Sequence, residues 1–144
     1  RSSAASDVYK RQEQVDATLL SDLIHKGVVP VMAPLTHDGH GNMLNTNADT
    51  IAGETAKALS ALFDVTLVYC FEKKGVLRDE NDDDSVIPQI TRAEFEQYVA
   101  DGVIQGGMIP KLENSFEAIN AGVSEVVITL ASAINDSGGT RIKK

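Results

Sequence analysis

With 144 residues, of which 42% are hydrophobic, the chain is long enough to bury the core of one domain but not of two independent domains. A formal net charge of −8 argues against nucleic-acid and anionic-membrane partners, because both require a basic surface. No apolar run is long enough to span a bilayer. Cys70 is the only cysteine, which excludes an internal disulfide and favours a reducing, cytoplasmic setting.

The first twelve residues differ in character from the rest of the chain. They are mostly polar, begin without methionine and lack the apolar stretch of a secretory signal. We interpret residues 1–12 as translated adaptor or vector sequence, and residues 13–144 as the folded part.

Helical and strand patterns alternate along the remainder. In the first half of the chain we predict a helix at 14–25, a strand at 28–35, a hairpin at 37–42, a helix at 49–63 and a strand at 65–70. In the second half we predict a helix opened by the capping box of Thr91 and Glu94, a helix containing Lys111, and strands at 125–130 and 140–142. A polar loop is predicted at 131–139. The strands at 65–68 and 126–128 are continuously hydrophobic, as in sheets covered on both faces. The pattern therefore predicts an α/β fold: a three-layer α/β/α sandwich with a mainly parallel sheet.

Three other features favour structural interpretations. His37 and His40 flank a turn at a spacing loosely suggestive of a metal site, but without further Cys or His nearby a solvent-exposed hairpin is favoured. The acidic run at 79–84 lacks the central glycine and terminal glutamate of a calcium loop, which indicates a surface loop. Cys70 ends an apolar strand and is expected to be a core thiol.

A lysine in the first turn of a predicted helix is the most informative feature. Pro110 is typical of a first helical position, and apolar residues recur at helical spacing from there to Gly122. The cation of Lys111 opposes the helix dipole by roughly 0.3–1 kcal/mol unless an anion shares the site. Because Gly106 and Gly107 allow close approach of a phosphate, Lys111 either binds phosphate or extends into water.

Polar residues also gather ahead of the helix at 49–63. An N-cap explains one of Asn45, Asn47 and Asp49, but not all three. Two carboxamides and a carboxylate at the end of a strand are suited to binding a carboxylate-bearing substrate and to orienting a lysine.

These segments resemble the amino acid kinase superfamily, most closely its N-acetylglutamate kinase family. The matching runs are VVPVMAP at 28–34, DGHG at 38–41, NTNADTIAG at 45–53 and ADGVIQGGMIPK at 100–111. The resemblance extends over residues 15–142 and corresponds to the C-terminal, nucleotide-binding half of such an enzyme. It implies ATP-dependent phosphorylation of the side-chain carboxylate of an N-acylglutamate in arginine biosynthesis, with Mg²⁺ carried by the nucleotide.

The resemblance also implies roles for individual residues. Lys111 would stabilise the transferring phosphoryl group, Asp49 would hold the catalytic lysines, and Asn45 and Asn47 would bind the acylglutamate. The implied nucleotide-binding residues are Glu72, Lys73, Lys74, Gly75, Gly107 and Met108. Most relatives carry a small hydroxyl residue, an aspartate and a glycine in the loop after residue 70, whereas here Glu72 replaces the aspartate.

Two alternatives remain open. The chain could belong to another amino acid kinase, such as a carbamate, uridylate or glutamate 5-kinase, although the segment at 45–49 favours acylglutamate. It could instead be a non-catalytic, arginine-sensing module on the same fold. The glycine-rich phosphate loop and second lysine of the family do not precede Val15, so we expect the chain to be inactive alone. The resemblance also implies that the full-length protein is a homo-oligomer.

Overall fold

The computed structural model describes residues 14–134 and 138–143, so the segment interpreted as adaptor sequence lies outside it. The helices are α1 (Ala17–His25), α2 (Ala48–Leu59), α3 (Arg92–Ala100) and α4 (Met108–Asn120). The strands are β1 (Leu35–His37), β2 (Met43–Asn45), β3 (Thr66–Phe71), β4 (Gln89–Ile90), β5 (Glu125–Leu130) and β6 (Thr140–Ile142). Of the predicted polar loop, Ala131–Ala133 forms a 3₁₀ turn, and residues 135–137 lie outside the described part.

The main sheet has the strand order β3-β5-β6-β4. β3 runs parallel to β5, β6 runs antiparallel to β5, and β4 runs parallel to β6. A separate hairpin pairs β1 with β2. The prediction of an α/β fold with a mainly parallel sheet is confirmed.

The core lies between this sheet and the helices. α2 packs against β3, α4 packs against β5 and β6, and α2 and α4 contact each other. Along β3, Leu67 and Tyr69 are buried in this core, whereas Cys70 is exposed. Successive strand residues point to opposite faces, so Cys70 turns away from the helices. The expectation of a core thiol was therefore wrong.

The predicted strand at 28–35 was also largely wrong, because only Leu35 belongs to a strand. Pro30 and Pro34 have no N–H to donate to a ladder. Val29 and Val31 are 82% and 94% exposed. Between the prolines, this segment borders a cavity of about 340 Å³ whose other walls are α2 and the start of β3.

Helix boundaries follow their capping residues. α1 begins at Ala17, three residues later than predicted, because the Asp16 side chain caps it by accepting from the amide of Leu19 at 2.9 Å. α3 has the predicted capping box, in which Thr91 accepts from the Glu94 amide and Glu94 accepts from the Thr91 amide. The hydrogen bonds that the Glu94 carboxylate accepts from the Thr91 amide and from the Thr91 hydroxyl lower the pKa of Glu94.

The hairpin at 37–42 forms as predicted, and its turn is organised by Asp38. The carboxylate of Asp38 accepts from the side chain of Asn42 at 2.6 Å and from the amide of His40 at 2.8 Å, and these bonds lower the pKa of Asp38. Over the described residues, no group of three His, Cys, Asp or Glu side chains could hold a metal ion. None of the helices described is long and apolar enough to cross a membrane.

Candidate active site

The first turns of α2 and α4 meet at the carboxyl end of β3. Such edges are where ligands bind in open α/β sheets. α2 supplies Asp49, α4 supplies Lys111, and β3 supplies Tyr69 and Phe71. The four residues come from three elements, and their side chains form one contiguous site.

The centre of this site is an ion pair between Lys111 and Asp49. The Lys111 Nζ lies 2.9 Å from Asp49 Oδ2. Only 13% of the Lys111 side chain is exposed, compared with 41% of the Asp49 side chain. The ammonium is thus largely enclosed, whereas the carboxylate retains access to solvent. The alternative that Lys111 extends into water is therefore wrong, because its ammonium is paired and largely enclosed.

α4 begins earlier than Pro110 suggested. Its first residue is Met108, so Pro110 is the third residue of the helix and Lys111 the fourth. The N-cap, Gly107, makes no side-chain capping hydrogen bond, and a Cβ built on Gly107 would meet no atom within 4 Å. The space beside this helix start is therefore open to a ligand.

Asn47 accounts for the start of α2. Its Oδ1 accepts from the amides of Asp49 at 2.8 Å and Thr50 at 3.2 Å, the geometry of an N-cap. The cap leaves the Asp49 side chain free to reach Lys111. Asn45, the last residue of β2, is exposed two residues before the cap. As the sequence indicated, one of the three polar residues is a cap.

Two aromatic rings enclose the ammonium. The Lys111 Nζ lies 5.1 Å from the centroid of the Tyr69 ring and 5.4 Å from that of Phe71. Both distances fall within the range of cation–π interactions. The Tyr69 hydroxyl donates to the backbone carbonyl of Asp49 at 3.3 Å. Burial, with the negative charges of Asp49 and Glu54, raises the pKa of Tyr69 to about 12.

Two ion pairs connect the residues that follow β3 to the acidic run. Lys73 binds Asp83 at 2.9 Å and Lys74 binds Asp84 at 3.0 Å, and these contacts raise the pKa of each lysine. The acidic run is therefore an exposed surface loop, as predicted. Its aspartates form ion pairs with Lys73 and Lys74, the two lysines predicted to bind the nucleotide. Nucleotide phosphates reaching either lysine would compete with an aspartate.

Gly75 in the same loop has a structural reason to be glycine. A Cβ at this position would lie 2.8 Å from Thr140 Oγ1 and 2.9 Å from a methyl of Val86. The buried Thr140 hydroxyl accepts from the amide of Val76 at 2.8 Å and donates to the carbonyl of Ile87 at 2.7 Å. Through these bonds, Thr140 of β6 contacts the loop at Val76 and at Ile87. Close packing thus explains Gly75, and a nucleotide contact there stays a prediction.

Two other predicted nucleotide-binding residues, Glu72 and Met108, directly follow β3 and begin α4. Glu72 is exposed, and Met108 is partly buried against the core. Sequence reasoning missed the Tyr69 and Phe71 rings. Their signal was the alternation along β3, which places positions 67, 69 and 71 on one face immediately before the predicted nucleotide loop.

Comparisons with known proteins bear on the family and the fold of the chain. The sequence model of the amino acid kinase family matches residues 3–130. A Bacteroides thetaiotaomicron protein named acetylglutamate kinase is 93% identical over 132 residues, which cover 92% of this chain and 51% of that protein. The chain spans about half the length of the curated relatives it matches.

Solved structures share the fold. The Streptococcus mutans protein smu.665 is 30% identical with a TM-score of 0.72, over 90% of this chain and 49% of that one. The N-acetylglutamate synthase of Neisseria gonorrhoeae, complexed with coenzyme A and N-acetyl-glutamate, is 20% identical with a TM-score of 0.78, over 92% of this chain and 31% of that one. At that identity the second match bears on the fold alone.

Proposed function

Because the chain belongs to the amino acid kinase family, we propose that it is the nucleotide-binding half of an acylglutamate kinase of arginine biosynthesis. In this proposal the whole protein transfers the γ-phosphoryl group of magnesium-ATP to the side-chain carboxylate of N-acetylglutamate or a related N-acylglutamate. The proposal includes a cytoplasmic location and a homo-oligomeric full-length protein. The name of the 93% identical relative favours acetylglutamate over the substrates of other amino acid kinases.

The observation that carries the proposal is the enclosed Lys111–Asp49 pair. A lysine that is 13% exposed and paired at 2.9 Å has a fixed ammonium position. That ammonium lies at the carboxyl end of β3, beside the open start of α4. A fixed positive charge next to an open helix start is suited to an anionic group such as a phosphate.

Phosphoryl transfer to a carboxylate requires a positioned positive charge, which Lys111 offers. An acylglutamate carboxylate is already ionised at neutral pH, so the site needs no general base. Phosphoryl transfer between two anions depends on positioning and on positive charge that neutralises the transferring group. In the proposal, Lys111 supplies that charge, and Asp49 fixes the direction of its side chain.

The remaining predicted residues complete the proposed site. Asn45 and Asn47 would contact the acylglutamate, with the amide nitrogen of Asn47 available because its oxygen caps α2. The residues proposed to contact the nucleotide are Glu72, Lys73, Lys74, Gly75, Gly107 and Met108. Magnesium, bound by the ATP phosphates, would supply further charge neutralisation.

A chimera tests the proposal most directly. Residues 13–144 of this chain replace the matching half of the Bacteroides thetaiotaomicron relative, and acyl phosphate is trapped as the hydroxamate. We expect turnover with N-acetylglutamate by the chimera and none by the 144-residue chain alone. Lys111→Met should reduce kcat by roughly 100-fold or more while changing the KM for ATP only a few-fold.

Lys57, a lysine on α2 away from the site, provides the matched control. Lys57 lies eight residues after Asp49, about 12 Å along the helix, and pairs with Glu54. Lys57→Met should leave kcat within about twofold of the parent chimera. Equal kcat values for Lys111→Met and Lys57→Met, or a folded chimera without turnover, would reject the proposed function.

A further inference from the structure

Two aromatic rings, those of Tyr69 and Phe71, lie beside the Lys111 ammonium. Resting on the function proposed above, we propose that Tyr69 and Phe71 are positioning residues that hold the Lys111 ammonium where the phosphoryl group is transferred. Neither ring mediates the ion pair itself, because Asp49 contacts Lys111 directly at 2.9 Å. Both rings nevertheless lie within about 6 Å of the ammonium, the range in which a ring face attracts a cation.

The rings complement what Asp49 can do. A single carboxylate fixes one direction of an ammonium group, and the rest of the flexible lysine chain can still rotate. Rings at 5.1 and 5.4 Å supply two further attractive surfaces, and they exclude water from a side chain that is 13% exposed. Unlike a second carboxylate, the rings add no negative charge that would repel a phosphate.

Tyr69 also links the lysine to the helix that carries its partner. Its hydroxyl donates to the Asp49 carbonyl at 3.3 Å, at the start of α2. Gly53, one turn further along α2, faces the same hydroxyl, because a Cβ there would lie in ordinary van der Waals contact with it at 3.4 Å. One side chain thus contacts both members of the ion pair.

The test separates electrostatic attraction from simple packing. In the chimera described above, Phe71 is replaced site-specifically by mono-, di- and trifluorophenylalanine, which keep the ring shape while progressively weakening the negative charge of its face. We expect log kcat to fall stepwise along the series, to about tenfold below the parent, with KM for ATP within about twofold and an unchanged melting temperature.

Two further variants complete the design. Tyr69→Phe retains the ring and should keep kcat within about threefold, whereas Tyr69→Leu should lower kcat by about tenfold or more. The control is the same fluorinated series at Phe95, a core ring that lies 5.4 Å from the Arg92 guanidinium and outside the site. Fluorination there should leave kcat unchanged.

The outcomes distinguish this inference from the function on which it rests. If the parent chimera turns over but kcat is flat along the Phe71 series, or falls equally in the Phe95 series, the rings only pack and the positioning role is overturned. If the folded parent chimera shows no turnover, the proposed function fails, and the positioning role fails with it. A stepwise fall confined to Phe71, with kcat maintained in Tyr69→Phe, supports both.

Discussion

The Lys111–Asp49 pair should stabilise the fold as well as the site, and a double-mutant cycle on the 144-residue chain measures by how much. The variants are Lys111→Met, Asp49→Asn and the double mutant. Exposed ion pairs contribute about 0.2–1 kcal/mol, and removing one partner of a fully buried pair costs about 3–5 kcal/mol. With side chains 13% and 41% exposed, this pair lies between those limits. We expect a coupling free energy of about 1–2 kcal/mol.

The two single variants should differ in size. Lys111→Met leaves a carboxylate that water can reach, so its cost should be about 1 kcal/mol. Asp49→Asn leaves an enclosed ammonium with only the rings and an amide, so its cost should be about 2 kcal/mol. The double mutant should be no less stable than Asp49→Asn, because neither charge is then left alone.

Urea unfolding followed by circular dichroism gives these free energies, provided that the m-value is the same in all four proteins. The Lys74–Asp84 pair is the matched control, since its side chains are 55% and 89% exposed and its lysine lies in the loop that follows β3. Its coupling free energy should be much smaller than that of Lys111–Asp49 and should vanish in high salt. A Lys111–Asp49 coupling no larger than that of the control would refute the view that enclosure fixes the lysine.

Three further outcomes follow from other contacts. Asp83→Asn combined with Asp84→Asn frees the two loop lysines, so magnesium-ATP affinity of the chain, measured by NMR titration, should rise roughly threefold; no change would place those lysines outside the nucleotide site. Thr140→Val leaves two buried backbone groups unpaired and should lower the unfolding free energy by about 2–4 kcal/mol, whereas Thr140→Ser should largely preserve it. Thr91→Ala should cost about 1 kcal/mol at neutral pH. The folded pKa of Glu94 is depressed below 4.5, so the contribution of its carboxylate is present above that value and is lost as the pH falls through the folded pKa; a cost that stays constant throughout the acid titration would contradict this.

Local patterns were sufficient for the elements whose determinants lie within a few residues. The capping box of Thr91 and Glu94 predicted α3, and the strands at Glu125–Leu130 and Thr140–Ile142 have the predicted bounds. The segment at 28–34 was mispredicted because hydrophobicity alone does not make a strand. A strand also needs backbone donors and a neighbour, and Pro30 and Pro34 remove donors.

The site combines what a sequence can specify with what it cannot. The dipole argument and the family resemblance identified Lys111 and Asp49, and the structure brings together these residues, which are 62 positions apart in sequence. Their enclosure by rings depends on the pairing of β3 with β5, which sets Tyr69 opposite Ile128 and Phe71 opposite Leu130. A slip of one residue would turn both rings to the opposite face and bring Cys70 towards the core. The alternation that exposes Cys70 therefore also aims Tyr69 and Phe71 at the lysine, so strand register, rather than composition, creates the environment of the ammonium.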